Sequence, residues 1–349
     1  MKSNYNSRES GYFFFNLAPT FECKYGKMVS ETHFESEEYL LEWYYWLIIA
    51  LVAAILLVFI VAGFIAAKSL YHPKTFTLAE TYAKENERSP GLMDDYDTWE
   101  KETYSIKSRF GYSLQIYFVP SQKPSKNFAV IAHGYSYTHH GAVKYAQMMR
   151  ELGYNIVMFD ERFHGLTGGS NCSMGFYEKF DLYDIISDTF TRFDNDIYLG
   201  TYGESMGGAA VVLEQALDKR IKFVITDCAF SDLSLLLGHL IKSRTGLPKY
   251  PIIWIANLFF KLVTKVSIFQ VSPKNALRDA SVPMLFMHGA EDGFIPPLHS
   301  QILYDACQTG KDIYIGQNHA KHTDASRYNP VKYREVLRHF LDEIVKANN

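Results

Sequence analysis

"LGTYGESMGGAA", residues 199–210, sets a serine between glycines, directly after an apolar run and directly before a run of small residues. Two readings compete. Either Ser205 stands on a sharp strand-to-helix turn, exposed for attack, or the stretch is a glycine-rich turn whose serine has no task. Gly203-Glu204-Ser205-Met206-Gly207 fits the pattern G-x-S-x-G. A nucleophile on such a turn needs a strained backbone, and neighbours without side chains let strand and helix approach closely. The amino end of the helix that follows favours developing negative charge.

The surroundings decide between the readings. Short apolar runs rich in β-formers recur at 114–119, 128–133, 154–160, 197–201, 223–228, 283–288 and 312–316. Helical runs separate most of them, such as "GAVKYAQMMRELG" and "NPVKYREVLRHFLDEIVK". Apolar strands alternating with helices predict an α/β fold, a mostly parallel sheet covered by helices on both faces. In open sheets of this kind sites form at the carboxyl ends of the strands. His133-Gly134, Asp160, Ser205, Asp292 and the pair His319 and His322 all follow strands. A chance glycine turn does not gather such company.

A serine hydroxyl needs a base, and the base needs an acid to orient it. The chain order Ser…Asp…His is the one this architecture uses. Asp292 in "HGAEDGFIP" is the expected acid, although an aspartate in a turn can also be a simple cap. The base is His319 or His322, both lying between the last strand and the last helix. Their HxxH spacing lacks a third ligand pattern, so no metal is expected. The oxyanion hole should combine the Met206 N–H with an N–H from the loop after "FAVIAHG", where Tyr135 stands. His133, His139 and His140 read as loop scaffold or rim. This chemistry requires no metal and no organic cofactor.

Composition adds a second feature. Net charge is −3, so no broad basic field points to nucleic acid. Cys23, Cys172, Cys228 and Cys307 lie far apart and predict neither a disulfide framework nor a metal site. Residues 43–67, "WYYWLIIALVAAILLVFIVAGFIAA", carry no charge. As a helix at about 1.5 Å per residue they exceed the ~30 Å hydrocarbon core of a bilayer. Aromatic residues gather at one end and Lys68 closes the other, as expected of a membrane-spanning helix. The expected organisation is a tail over 1–42, a transmembrane helix over 43–67, a linker with lead-in helices over 68–108, and a catalytic domain over 109–349. Basic residues are more frequent after the span than before it, which favours the cytoplasmic side for that domain.

With these elements in view, the sequence resembles the alpha/beta-hydrolases. More narrowly, it is similar to membrane-anchored or extracytoplasmic bacterial members grouped with serine aminopeptidases and esterase/lipase-like proteins. "AHGYSYTHHG", "FDERFHGLTGGS", "MGFYEKFDLYDI", "YGESMGGAA", "FMHGAEDGFIPP" and "HTDASRYNPVKYREVLRHFL" carry the resemblance, over about residues 100–345. In that group the catalytic histidine precedes a small residue by three positions and a tyrosine by eleven. His322 meets this with Ala325 and Tyr333, so the resemblance favours His322 over His319. Ala325 departs from the serine often found there, and His319-Ala320 also matches the usual His-Ala. The resemblance implies a lid over about 229–272, whose apolar pattern suits a lipophilic acyl substrate. A helix pair merely packed on the sheet would have the same pattern. The expected function is a serine hydrolase of esters, a lipophilic acyl ester included, through an acyl-enzyme. A peptidase or amidase on the same triad and an inactive membrane-tethered binding protein are the alternatives.

Overall fold

The computed structural model describes residues 24–316 and 319–345, with side chains from residue 42 to residue 343. Of the expected tail over 1–42, residues 1–23 lie outside the described residues and residues 24–42 are helical. The chain divides into two units, Met1–Leu57 and Val58–Asn349. Helix α1 (Lys24–Tyr71) starts in the first and ends in the second. It contains a stretch, Glu42–Tyr71, long and apolar enough to cross a membrane. The apolar side chains of its first-unit part, such as Trp46, Leu51 and Leu57, are exposed.

In the second unit, α2 (Leu78–Arg88) begins at a Thr77 capping box closed by Glu80, and α3 (Leu92–Asp97) follows. The sheet has eight strands. They are β1 (Glu102–Lys107), β2 (Ser113–Val119), β3 (Asn127–Ala132), β4 (Asn155–Phe159), β5 (Tyr198–Glu204), β6 (Val224–Asp227), β7 (Met284–His288) and β8 (Lys311–Ile315). Their order is β1-β2-β4-β3-β5-β6-β7-β8. The β1–β2 and β2–β4 pairs are antiparallel and all others are parallel. All seven runs singled out in the sequence are strands. The eighth, β1, lies within 68–108, where a linker with helices was expected. It is an edge strand whose residues are exposed or half-buried in alternation, so it never shows the apolar run of a two-sided strand.

Helices α4 (Val143–Glu151), α5 (Glu178–Phe193), α6 (Met206–Glu214), α7 (Leu233–Thr245), α8 (Lys249–Thr264), the single turn α9 (Pro273–Ala276), α10 (Leu298–Ala306), the short α11 (Ala325–Tyr328) and α12 (Pro330–His339) complete the unit. Strand β3 shows why its sequence is continuously apolar. Ala129 and Ile131 enter the core that holds Val143 of α4 and Leu337 of α12. Phe128, Val130 and Ala132 enter the opposite core, with Leu182 of α5 and Val211 of α6. A third apolar cluster joins α7 and α8 to the last turns of α1 through Leu236, Ile253, Phe260, Ala67 and Leu70. Helix α7 starts where Asp232 accepts the Ser234 and Leu235 amides and stops at Gly246, whose φ of 69° needs no Cβ.

Candidate active site

Ser205 joins β5 to α6 with φ 56° and ψ −112°, a conformation that costs an L-residue about 1–3 kcal/mol. Its N–H donates to the Asp227 carbonyl at 2.8 Å, and its side chain is buried. The flanking glycines have a steric reason. A Cβ on Gly203 would lie 2.3 Å from the Gly207 carbonyl oxygen, and one on Gly207 would lie 2.5 Å from that of Ala132. Strand β5, strand β3 and helix α6 meet there with no room for a methyl group.

The structure brings His322, and not His319, to this serine. His322 Nε2 is 3.1 Å from Ser205 Oγ, and His322 Nδ1 is 2.6 Å from Asp292 Oδ2. A carboxylate can only accept, so Nδ1 carries the proton and Nε2 is left to accept from the serine hydroxyl. His319 is solvent-exposed with Nδ1 3.5 Å from Glu291. Asp292 is buried, and burial alone would raise its pKa. Hydrogen bonds from His288 and His322 outweigh this and hold the carboxyl well below the usual range. Its other oxygen accepts the Phe294 and Ile295 amides, each at 2.9 Å.

His288, at the end of β7, was not singled out from the sequence, although "FMHG" contains it. It is fully buried. Its Nε2 lies 2.7 Å from the Ile295 carbonyl and 3.2 Å from Asp292 Oδ2, so that nitrogen carries the proton. Nδ1 then accepts from Ser300 Oγ at 2.7 Å. The imidazole ties the turn bearing Asp292 to helix α10. The only sequence signal was a histidine at a strand end in an otherwise apolar run.

The Tyr135 and Met206 amides, expected to bind an oxyanion, donate to no protein acceptor among the described residues. Met206 is the first residue of α6, where backbone N–H groups lack helical partners. The loop carrying Tyr135 is pinned by neutral histidines. His133 accepts the Glu161 N–H at 2.9 Å and donates to the Gly134 carbonyl at 2.7 Å. His164 accepts the Ser136 N–H at 3.0 Å. Burial pushes His133 down to about 3 and also lowers His164. His139 bonds Asp160 at 3.0 Å, and His140 reaches the Leu78 carbonyl at 3.1 Å. Among the described residues, none of these four hydrogen-bonds to Ser205.

Behind Ser205 lies a buried polar cluster. Glu204 pairs with Lys144 and accepts from Tyr145 Oη at 2.7 Å. Tyr333 donates to Asp227 Oδ2 at 2.8 Å, and Tyr145 Oη lies 3.0 Å from the same oxygen. Asp227 is also the residue whose carbonyl holds the Ser205 amide, so Tyr333 supports the turn from the far side.

The donor atoms of Cys228, Asp292 and His322 lie within 4.8 Å of one another. Burial pushes the Cys228 thiol well above its ordinary pKa, and the other two are bonded to each other. The trio fits a hydrogen-bonded acid–base pair and not a metal ligand set. A cavity of about 170 Å³ opens on Ser205 and Met206. Leu236, Leu237 and Leu240 of α7, with Ser69 and Leu70 from the end of α1, line it.

No protein-family model matches the chain. It is 28% identical over 300 residues to the uncharacterized protein YqkD of Bacillus subtilis, covering 85% of this chain and 97% of that one. It is 26% identical over 262 residues to the uncharacterized protein YfhR of Escherichia coli K12, covering 72% and 84%. Among solved structures, the Pyrococcus furiosus esterase Pf2001 matches 72% of this chain and 94% of its own, with a TM-score of 0.59 at 18% identity. The Pyrococcus horikoshii acylaminoacyl peptidase matches 71% of this chain and 42% of its own, with a TM-score of 0.53 at 18% identity. The alpha/beta hydrolase GrgF of a Penicillium species matches 71% of this chain and 99% of its own, with a TM-score of 0.53 at 15% identity.

Proposed function

The chain has the alpha/beta-hydrolase fold, and on it we propose a serine hydrolase of carboxylic esters, tethered to a membrane by α1. The observation that carries the reading is His322, bonded to Ser205 Oγ through one ring nitrogen and to the buried Asp292 through the other. The esterase Pf2001 is a neighbour of the same fold. Ser205 Oγ attacks the ester carbonyl carbon as its proton passes to His322 Nε2. Asp292 stabilises the imidazolium and keeps the ring oriented. The Met206 and Tyr135 amides receive the negative charge that develops on the carbonyl oxygen. As the tetrahedral intermediate collapses, the C–O bond breaks and the leaving alkoxide takes the proton from His322. Water, activated by the same histidine, then releases the acid and regenerates the serine.

The apolar cavity beside Ser205 suits the acyl side of a lipophilic ester. The charge bias around α1 favours the cytoplasmic face for the hydrolase unit. The test is labelling of the detergent-solubilised full chain by a fluorophosphonate, alongside hydrolysis of p-nitrophenyl esters of rising chain length. Wild type should label and turn over, and Ser205→Ala should do neither. A folded wild-type chain inert in both assays would overturn the reading.

A further inference from the structure

Helix α8 is apolar on two sides. Its inner side, with Ile252, Ile253, Ala256 and Phe260, is buried. Its outer side presents Trp254, Leu258 and Leu262 at helical spacing, each more than half exposed. The polar Asn257 does not interrupt that stripe, because its side-chain oxygen accepts from Ser267 Oγ and the Ile268 amide, both at 2.8 Å. An exposed stripe of this kind needs a partner.

Three observations identify the partner as a bilayer. The first is contact with α1. A Cβ on Gly63 would lie 2.5 Å from Ile255, and the Phe64 and Phe259 rings meet edge to face at 5.3 Å. Gly63 and Phe64 precede Lys68, the end of the apolar run, by only about 6–8 Å along the helix axis. That is the depth, about 5–10 Å, at which in-plane amphipathic helices sit. The second is length. The 16 residues of α8 make about 24 Å, too short to span, and the chain then bends by 85° into the segment Ile268–Asp279. The third is charge. Residues 233–278 contain Lys242, Arg244, Lys249, Lys261, Lys265, Lys274 and Arg278, and no Asp or Glu. Cations flank the stripe at both ends, as an anionic lipid surface requires.

We propose that α8 is a second membrane contact, its Trp254–Leu258–Leu262 stripe immersed in the anionic leaflet that α1 leaves. The cavity at Ser205 has the end of α1 as one wall, so this contact sets its mouth at the lipid headgroups. The substrate class is then an acyl ester resident in that leaflet, entering acyl chain first. The proposal rests on the reading of α1 as a membrane span and of Ser205 as the nucleophile.

The full chain, with Cys23→Ser to remove a competing thiol, is reconstituted into phosphatidylglycerol–phosphatidylcholine nanodiscs. Spin labels are placed at Leu258→Cys and, as an aqueous reference on α12, at Val331→Cys. The label at 258 should collide with oxygen and be shielded from a water-soluble nickel chelate, and the label at 331 should behave oppositely. Nickel access at 258 equal to that at 331 overturns the proposal, whether or not Ser205 labels with fluorophosphonate. A kinetic arm tests the substrate class with Leu258→Asp. Hydrolysis of a diacylglycerol in the nanodisc should fall about tenfold, while p-nitrophenyl butyrate turnover in detergent stays within about twofold. An equal fall with both substrates, or no fall with either, overturns it.

Discussion

Ser205, Asp292 and His322 come from three strand ends, and their side chains form one hydrogen-bonded line. In the proposed reaction each link has a measurable weight. His322→Ala should lower kcat by about 10⁴-fold or more, whereas His319→Ala should stay within about twofold, since His319 points to solvent. The reverse result would move the base to His319. His288 acts through Asp292 and is a positioning residue. His288→Leu removes the 3.2 Å contact to the carboxylate and should lower kcat about tenfold with little change in KM. It should also leave fluorophosphonate labelling slow but complete, which a collapsed fold would not do. The serine, the acid and the competing histidines were legible because each carries a local signature: glycines around the first, a strand end before the others. His288 ends the apolar run itself, where a lone histidine reads as part of the strand. A buried histidine differs from its apolar neighbours only through partners, and Ser300 and Ile295 are known as partners only once the turn is folded.

Helix α6 shows what the small residues after the serine accomplish. Gly207, Gly208, Ala209 and Ala210 are all buried, because the helix is wedged among β3, β5 and β6. Gly207→Ala would push its Cβ against the Ala132 and His133 carbonyls at 2.5 and 2.6 Å. The expected cost is about 1–3 kcal/mol or more, and the shift separates the two amides proposed to bind the oxyanion. Activity should therefore fall further than the melting temperature alone implies, a split readable by comparing kcat with thermal unfolding. Tyr333→Phe tests the opposite side of the turn. Losing its hydroxyl removes the 2.8 Å bond to the buried Asp227 and should cost about 1–3 kcal/mol. Seven of the eight strands were readable from their apolar runs, and even β8, an edge strand with half-buried and exposed residues, kept one in "DIYIG". Strand β1 was not, because Glu102, Thr103, Ser105 and Lys107 leave only Tyr104 and Ile106 as apolar residues. The packing of α8 on α1 was equally hidden, since nothing local links Gly63 to Ile255.

Several buried histidines of the second unit make folding compete with protonation. Burial is the main cause at each: His133 is pushed down to about 3, and His140 and His299 to about 4. A depressed folded pKa means that the unfolded chain binds the proton more tightly. The stabilisation is therefore present above about pH 6.5 and lost as pH falls toward the folded values. Asp181 works against this. Burial raises it to about 6 despite hydrogen bonds from Ser108 and Tyr112, so its own contribution grows as pH drops from 6 toward 4. Burial also holds Glu161 and Glu214 well above the usual carboxylate range and raises Asp227, so these three oppose the histidines in the same sense as Asp181. Each of the three histidines sheds about one proton on folding near pH 5, a slope of about 1 kcal/mol per pH unit apiece, and the buried carboxyls offset it over the same range. Thermal unfolding of the detergent-solubilised chain, followed by circular dichroism from pH 7 to pH 5, reads one histidine's share as the difference between wild type and His140→Gln. In His140→Gln the rise of stability with pH should be smaller than in wild type by about 1 kcal/mol per pH unit near pH 5, because the side chain that must shed its proton to fold is gone. A slope in His140→Gln equal to that of wild type would mean that His140 keeps its proton on burial.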